Sequence, residues 1–182
     1  ERAEIATRRR AEALREEQRQ RQGDLDTLRA RLDALATRLG EAQAGYDFQD
    51  WFFDLVAYYE LPNRRPYTTG GRQIDGSITV GGTTYLVELK FTTAQAGAPD
   101  VDVFFKKVHD KADNTMGLLV SIAGFSSVAV AGASGPRTPL LLLDHGHLYG
   151  LLGGLMTLEE LIARVRRHAS QTGQAYLAAG DL

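Results

Sequence analysis

The chain has 182 residues, of which 43% are hydrophobic and 24% are charged, and its formal net charge at pH 7 is −2. This composition is typical of a soluble globular protein, and the small net charge argues against a protein that coats nucleic acid through its overall charge. The chain contains no cysteine, which excludes disulfides and thiolate zinc sites, and no apolar run approaches the roughly 20 residues that span a bilayer. We therefore expect a cytoplasmic protein without a membrane segment, and the initial Glu1 suggests that further sequence lies upstream.

Residues 1–44 are predicted to form a coiled-coil stalk. Five leucines, which we call the leucine seam, recur at alternating spacings of three and four residues: Leu25, Leu28, Leu32, Leu35 and Leu39. Further upstream the same frame meets Gln18 and Arg21, so the pattern weakens, and Gly23-Asp24 is either a break or a soft point in one helix. A continuous helix of about 40 residues would extend roughly 60 Å, too far to bury its seam against a small domain.

Two interpretations of this stalk stay open. The first is a homo-oligomer formed through the N-terminal helix, or a tether to an upstream sensor domain or partner subunit. The second is a solvated single helix that is stabilised by ion pairs along its length.

Residues 45–182 are predicted to form a globular domain. The expected elements are a helix at 47–60 with a buried aromatic face, a β-hairpin centred on 81–82, a helix at 100–111, a strand at 117–122, a short helix at 125–133, a strand at 140–143, and a final helix that begins with the capping box at Thr157 and ends near Gly173. This order favours an α/β fold with a mixed central sheet flanked by helices. His145 and His147 are expected in a turn, and without a third ligand they are more typical of turn surface than of a metal site.

The hairpin places two acids against each other. Two β-rich runs flank the Gly-Gly pair at 81–82, and glycine accepts positive φ at both central positions of a tight turn. Counting outward from that turn sets Asp75 directly opposite Glu88, at a non-hydrogen-bonded position where Cα atoms lie about 4.5 Å apart. Because side chains alternate along a strand, Lys90 shares the face of both acids.

Facing carboxylates destabilise a sheet unless they share a proton or hold a cation. Carboxylate oxygens at this separation suit Mg²⁺, which takes one or two protein carboxylates and leaves its other positions to water and phosphate. A proton-sharing pair has no need of a neighbouring ammonium, whereas phosphodiester cleavage needs a metal and a cationic group near the attacking water. The pattern of Asp75, Glu88 and Lys90 therefore favours a phosphodiester-cleaving site.

With these residues the chain resembles the PD-(D/E)xK nuclease superfamily, whose core hairpin carries an acid on one strand and Glu-x-Lys on the next. The flanking blocks at 45–49, 73–76, 85–90, 105–108 and 117–125 resemble the Mrr-like branch of restriction endonucleases over most of residues 45–170. Two positions depart from the family pattern. Ile74 stands at the position of the proline in the PD-(D/E)xK motif, and Gln49 stands where many relatives place a glutamate.

This resemblance implies a restriction-endonuclease-like core and a Mg²⁺-dependent endodeoxyribonuclease, with Mn²⁺ able to substitute. It implies that Asp75, Glu88 and the backbone carbonyl of Leu89 hold the metal, that Lys90 positions or helps to deprotonate the attacking water, and that Gln49 is a possible auxiliary ligand. Four basic residues are expected to contact DNA phosphates, three of them on the helix that follows the hairpin: Arg72, Lys106, Lys107 and Lys111.

The resemblance also implies a biological setting, the effector nuclease of a bacterial restriction or antiphage system. Cleavage of both DNA strands would then need two nuclease domains, which the stalk would bring together. The alternative is a catalytically silent DNA-binding or scaffold module assembled through the coiled coil.

Overall fold

The computed structural model describes residues 2–182, with side chains from residue 3 onward, so the first residue of the predicted stalk lies outside the described residues. The helices are α1 (Arg2–Ala36), α2 (Ala42–Tyr58), α3 (Ala98–His109), α4 (Ser127–Ala133), α5 (His145–Leu152) and α6 (Leu158–Thr172), followed by a 3-10 helix at Ala179–Asp181. The strands are β1 (Asn63–Arg64), β2 (Tyr67–Thr69), β3 (Arg72–Ile74), β4 (Gly76–Val80), β5 (Thr83–Lys90), β6 (Met116–Ser121) and β7 (Leu140–Asp144).

Five strands form one mixed sheet in the order β1-β4-β5-β6-β7, and β2 pairs with β3 in a separate ribbon. Strand β4 is antiparallel to both of its neighbours, β1 and β5, whereas β5, β6 and β7 run parallel to one another. Helices α1, α2, α5 and α6 pack on one face of the sheet, and α3 and α4 pack on the other. The predicted α/β fold with a mixed central sheet and flanking helices is confirmed.

The hairpin register is the predicted one. Val80 pairs with Thr83, and the ladder continues to Gly76 opposite Val87. Gly81 and Gly82 have φ values of 56° and 78°, which side chains with a Cβ adopt only with strain. The next position along the ladder is therefore that of Asp75 and Glu88, immediately beyond the end of the paired segment.

The C-terminal part of α1, from Leu25 onward, packs on the chain's own domain. Leu25, Leu28, Leu32 and Leu35 are buried, and the indole N–H of Trp51 in α2 donates a hydrogen bond to the carbonyl of Leu28 at 2.8 Å. The structure thus differs from the expectation that the leucine seam is too long for the domain to cover. Helix α1 runs through Gly23 without a break, and the side chains of residues 3–24 are exposed.

Two polar contacts fix this docking. The guanidinium of Arg31 pairs with Asp54 of α2 at 2.7 Å, and Tyr149 of α5 donates to Asp33 at 2.6 Å. A heptad pattern specifies an apolar stripe and not the surface that covers it, and here the four buried leucines pack on the chain's own domain. The division of the chain at 44/45 stays a prediction.

The segment that begins at His145 is a helix, and the predicted turn was wrong. Asp144 is the N-cap of α5, and its carboxylate accepts a hydrogen bond from the N–H of Gly146 at 2.9 Å. An aspartate directly before the segment is a helix-start signal that Gly146 obscured. No helix within residues 2–182 is both long enough and apolar enough to cross a membrane.

Candidate active site

Asp75 and Glu88 converge on one point, which a lysine of the chain occupies. Asp75 lies at the junction of β3 and β4, and Glu88 lies near the end of β5. The Nζ of Lys107, from α3, is 3.4 Å from Asp75 Oδ1 and 3.1 Å from Glu88 Oε2. A single ammonium therefore bridges the two carboxylates that the hairpin register brings together.

Gly76 fixes the backbone beside Asp75. A Cβ at this position would lie 2.5 Å from Cζ of Phe53 and 2.9 Å from Cδ of Pro66, closer than real Cβ contacts. Because Gly76 has no side chain, α2 can press the ring of Phe53 directly under the start of β4. Gln49, one turn earlier on α2, faces the same region.

The orientation of the Leu89 carbonyl follows from the geometry of β5. Successive carbonyl groups of a strand point to opposite edges, and the Lys90 carbonyl accepts from the N–H of Ile122 on the β6 side at 3.0 Å. The Leu89 carbonyl consequently faces the β4 side. Strand β4 begins only at Gly76, which pairs with Val87, so the ladder does not extend to Leu89.

These groups surround a small polar cavity of about 140 Å³. Its polar lining comes from Gln49, Gln73, Asp75, Glu88 and Lys107, and its other lining residues are Phe53, Pro66, Gly76, Val87 and Leu89. Of the predicted site residues, Asp75, Glu88, Leu89, Gln49 and Lys107 are thus brought together.

Lys90 lies apart from this cavity. Its ammonium pairs with Asp100 of α3 at 2.7 Å, and the other oxygen of Asp100 accepts from the N–H of Gly97 at 2.9 Å. The hydrogen bond from Lys90, together with that from Gly97, holds the pKa of Asp100 below its usual value. The pairing of Lys90 with Asp100 had no signal in the strand pattern, because the acid comes from a helix packed over the strand.

The other predicted phosphate contacts are spread over the surface. Arg72 on the β2–β3 ribbon is exposed, as are Lys106 and Lys111 on and after α3. Lys107 was predicted as a phosphate contact, and its pairing with the two acids was missed. Burial lowers the pKa of Lys107, but its hydrogen bonds and attraction to Glu88 and Asp75 outweigh this, so the pKa is raised.

The acids fit a hard divalent cation. Two carboxylates and a backbone carbonyl supply only oxygen donors, the type that Mg²⁺ and Mn²⁺ prefer. The bridging ammonium of Lys107 shows that both carboxylates reach a common cation position. No group of three or more His, Cys, Asp or Glu side chains in the described part of the chain could hold a metal, so the remaining ligands would be the Leu89 carbonyl, Gln49, water or phosphate.

The chain matches the model of a known protein family. The family model Mrr_cat, described as restriction endonuclease, matches residues 41–152, which is more than half of the 182-residue chain. The matched range contains the hairpin, the cavity residues and α3. No curated protein and no solved structure matches the chain.

Proposed function

Since the chain belongs to the Mrr-type restriction endonuclease family and is therefore a nuclease, we propose that it cleaves DNA internally with the help of a divalent metal ion. The observation that carries this proposal is the convergence of Asp75 and Glu88 on a single cation position beside a polar cavity. Like charges so close together reduce stability. A binding role for a cation accounts for their presence.

Asp75, Glu88 and the Leu89 carbonyl would hold the ion, which we propose to be Mg²⁺ with Mn²⁺ as a substitute, and Gln49 would add an amide oxygen. When bound, such an ion polarises the scissile phosphate and favours deprotonation of the attacking water. These residues would hold the ion at the end of the β4–β5 ladder. Phe53 and Gly76 hold the supporting backbone in place.

Lys90 is the proposed cation beside the reacting phosphate. It stands two residues beyond Glu88 on the same strand face, and its side chain is about one-third exposed. Asp100 holds the ammonium at that end of β5. Arg72, Lys106 and Lys111, all exposed, are the proposed phosphate contacts outside the cavity.

We further propose that the enzyme serves a bacterial restriction or antiphage system in the cytoplasm, with DNA as its substrate. Two active centres are needed for a double-strand break. We propose the exposed residues 3–24 of α1 as the segment for homo-oligomerisation, or for connection to a sensor domain or partner subunit. The leucine seam, which follows this segment in α1, is already buried against the chain's own domain.

The test is cleavage of supercoiled plasmid, single-stranded DNA and single-stranded RNA in Mg²⁺, Mn²⁺ or EDTA, with the parent and Lys90→Ala. We expect metal-dependent cutting of DNA by the parent and its loss in Lys90→Ala. Arg164→Ala is the matched control, since Arg164 is an exposed cation on α6 that lines none of this site. Cutting that persists in EDTA, or equal cutting by Lys90→Ala, would contradict the assignment.

The silent-module alternative predicts a different result. A folded parent that binds DNA without cutting it, and whose DNA binding is unchanged by Glu88→Gln, would be a binding module. Calorimetric titration with Mn²⁺ separates the two, because a nuclease site should lose its metal binding in Glu88→Gln whether or not an activator is present.

A further inference from the structure

Lys107 occupies the position that a metal ion would need. Its ammonium makes hydrogen bonds to both acids, and the three side chains are 37%, 23% and 26% exposed for Lys107, Asp75 and Glu88 respectively. The contacts lie in a partly shielded environment, where solvent screens them less than it screens an ion pair on the open surface. The single ammonium therefore balances half of the formal negative charge of the two acids.

The backbone of Lys107 is held firmly while its side chain has room to move. Phe104 and Val108, on the adjacent turns of α3, are buried against the sheet. Asp100, seven residues before Lys107 and on the same helix face, pairs with Lys90. The side chain of Lys107 itself lines the open cavity, so it can leave the acids without any displacement of α3.

The ammonium and a divalent ion exclude each other. A cation bound to both carboxylates would lie within about 4 Å of Nζ, where two positive charges repel strongly in a partly buried site. The ion can bind only when Lys107 gives up its hydrogen bonds. The free energy of these Lys107 hydrogen bonds therefore reduces the net free energy of metal binding.

We propose that Lys107 is a resident counter-ion that competes with the divalent ion for Asp75 and Glu88, and that it thereby sets the metal affinity of the site. The inference rests on the proposed function, and it makes Lys107 a determinant of metal affinity in addition to the two acids. Once displaced, the ammonium would stay tethered to α3 beside the cavity that Lys107 lines, where it could pair with a phosphate of the substrate. Metal binding would thus release a cation for the substrate.

The experiment is calorimetric titration of Mn²⁺ into the DNA-free protein, comparing parent, Lys107→Ala and Lys106→Ala. Both variants remove one positive charge from neighbouring positions of α3, but Lys106 is exposed and does not line the cavity. We expect Lys107→Ala to bind Mn²⁺ about tenfold more tightly than Lys106→Ala, a value reduced for the partial exposure of the pair. Lys107→Gln, which keeps most of the side-chain length, should show the same direction and serves if the alanine variant folds poorly.

The outcomes separate this inference from the proposed function. Equal or weaker Mn²⁺ binding in both Lys107 variants, with metal-dependent DNA cleavage by the parent, overturns the competition and leaves the nuclease assignment intact. Absence of Mn²⁺ binding in every variant overturns both. A larger increase in melting temperature on Mn²⁺ addition for Lys107→Ala than for Lys106→Ala supports the inference, because the uncompensated acids then depend on the ion for their neutralisation.

Discussion

Two polar clusters lie at the same edge of the sheet, where β5, β6 and β7 end, and they are built in opposite ways. The first joins Asp75, Glu88 and Lys107 around an open cavity. The second joins Asp144, His147 and Tyr176 behind β7. Both contain an acid and a basic group, so residue types alone do not distinguish them.

In the second cluster the protein itself satisfies the polar atoms. One oxygen of Asp144 contacts the N–H of Gly146 at 2.9 Å and Nδ1 of His147 at 3.0 Å, and the other accepts from the hydroxyl of Tyr176 at 2.6 Å. His147, 1% exposed, also hydrogen-bonds through Nε2 to the carbonyl of Leu177 at 2.7 Å. Burial raises the pKa of Asp144, but the hydrogen bonds from His147 and Tyr176 outweigh burial and hold it well below its usual range.

The first cluster has one cation for two acids. Its shortfall of positive charge faces a cavity, whereas in the second cluster groups of the protein itself contact both oxygens of the one acid. The difference indicates that the second cluster is structural, since a satisfied buried network stabilises one arrangement. The first cluster is the one suited to an external cation.

The largest expected effect is on activity. Replacement of Glu88 by glutamine keeps the size of the side chain and removes half of the negative charge at the cation position. We expect DNA cleavage to fall on the order of 1,000-fold, in line with the loss of a transition-state charge contact, with little change in the free energy of unfolding. Initial rates of plasmid cleavage and urea denaturation measure the two quantities.

Asp102→Asn is the control for this variant. Asp102 is an exposed acid on the outer surface of α3, so the same change in net charge occurs away from the cavity. Its cleavage rate should equal that of the parent. A loss shared by both variants would trace the effect to overall charge and not to the site.

The opposite result is expected in the second cluster. Asp144→Ala leaves His147 and Tyr176 without their acceptor and removes the N-cap of α5. We expect a loss of about 2–4 kcal/mol in the free energy of unfolding, measured by urea denaturation. At a temperature where the variant is folded, its cleavage rate should stay near that of the parent; a rate as low as that of Glu88→Gln would erase the distinction between the clusters.

The sequence predicted one half of the first cluster and missed the other. A two-residue turn and the alternation of strand side chains are local, so the facing of Asp75 and Glu88 followed from counting. The partners of Lys90 and Lys107 depend on how α3 lies over β5, which no local pattern specifies. The helical period predicted Lys107 on the same face as Lys111. In the structure α3 packs on the sheet so that the Lys107 side chain reaches the two acids.

The same limit explains the differences elsewhere. The leucine seam of α1 has the period of a coiled coil, but the surface that covers it is set by the aromatic face of α2 and by Asp54. The stabilising role of His147 was equally invisible, because its partners Tyr176 and Leu177 are about 30 residues away in sequence. Fold class and strand register are properties of local patterns, whereas side-chain partners are properties of packing.

A third prediction concerns the backbone under the first cluster. Gly76→Ala would place a Cβ 2.5 Å from Phe53 and 2.9 Å from Pro66, so the start of β4 must shift and carry Asp75 with it. We expect a loss of about 1–3 kcal/mol in the free energy of unfolding and a roughly 100-fold drop in cleavage, because a displacement of about 1 Å misplaces the acid. Denaturation and plasmid cleavage report the two effects.

Gly23→Ala is the matched control for that variant. Gly23 lies within α1, and a Cβ there would meet nothing within 4 Å. Alanine should stabilise the helix by about 0.5–1 kcal/mol and leave cleavage unchanged. If Gly76→Ala behaved like Gly23→Ala, close packing under β4 would not be what holds Asp75 in place.

The smallest expected effect is on the pH dependence of stability, and it belongs to the second cluster. Because the pKa of Asp144 is lower in the folded protein than in the unfolded chain, the unfolded chain takes up the proton first as the pH falls. The stabilisation from Asp144 is therefore complete above about pH 5 and declines below about pH 4, the ordinary range of an aspartate. The free energy of unfolding of the parent minus that of Asp144→Asn should be constant from pH 7 to 5 and shrink by about 1–2 kcal/mol at pH 2.5. His145, His147 and Tyr176 surround this carboxylate, so a difference that changes mainly between pH 5 and 7 would assign the linkage to a histidine and contradict the prediction for Asp144.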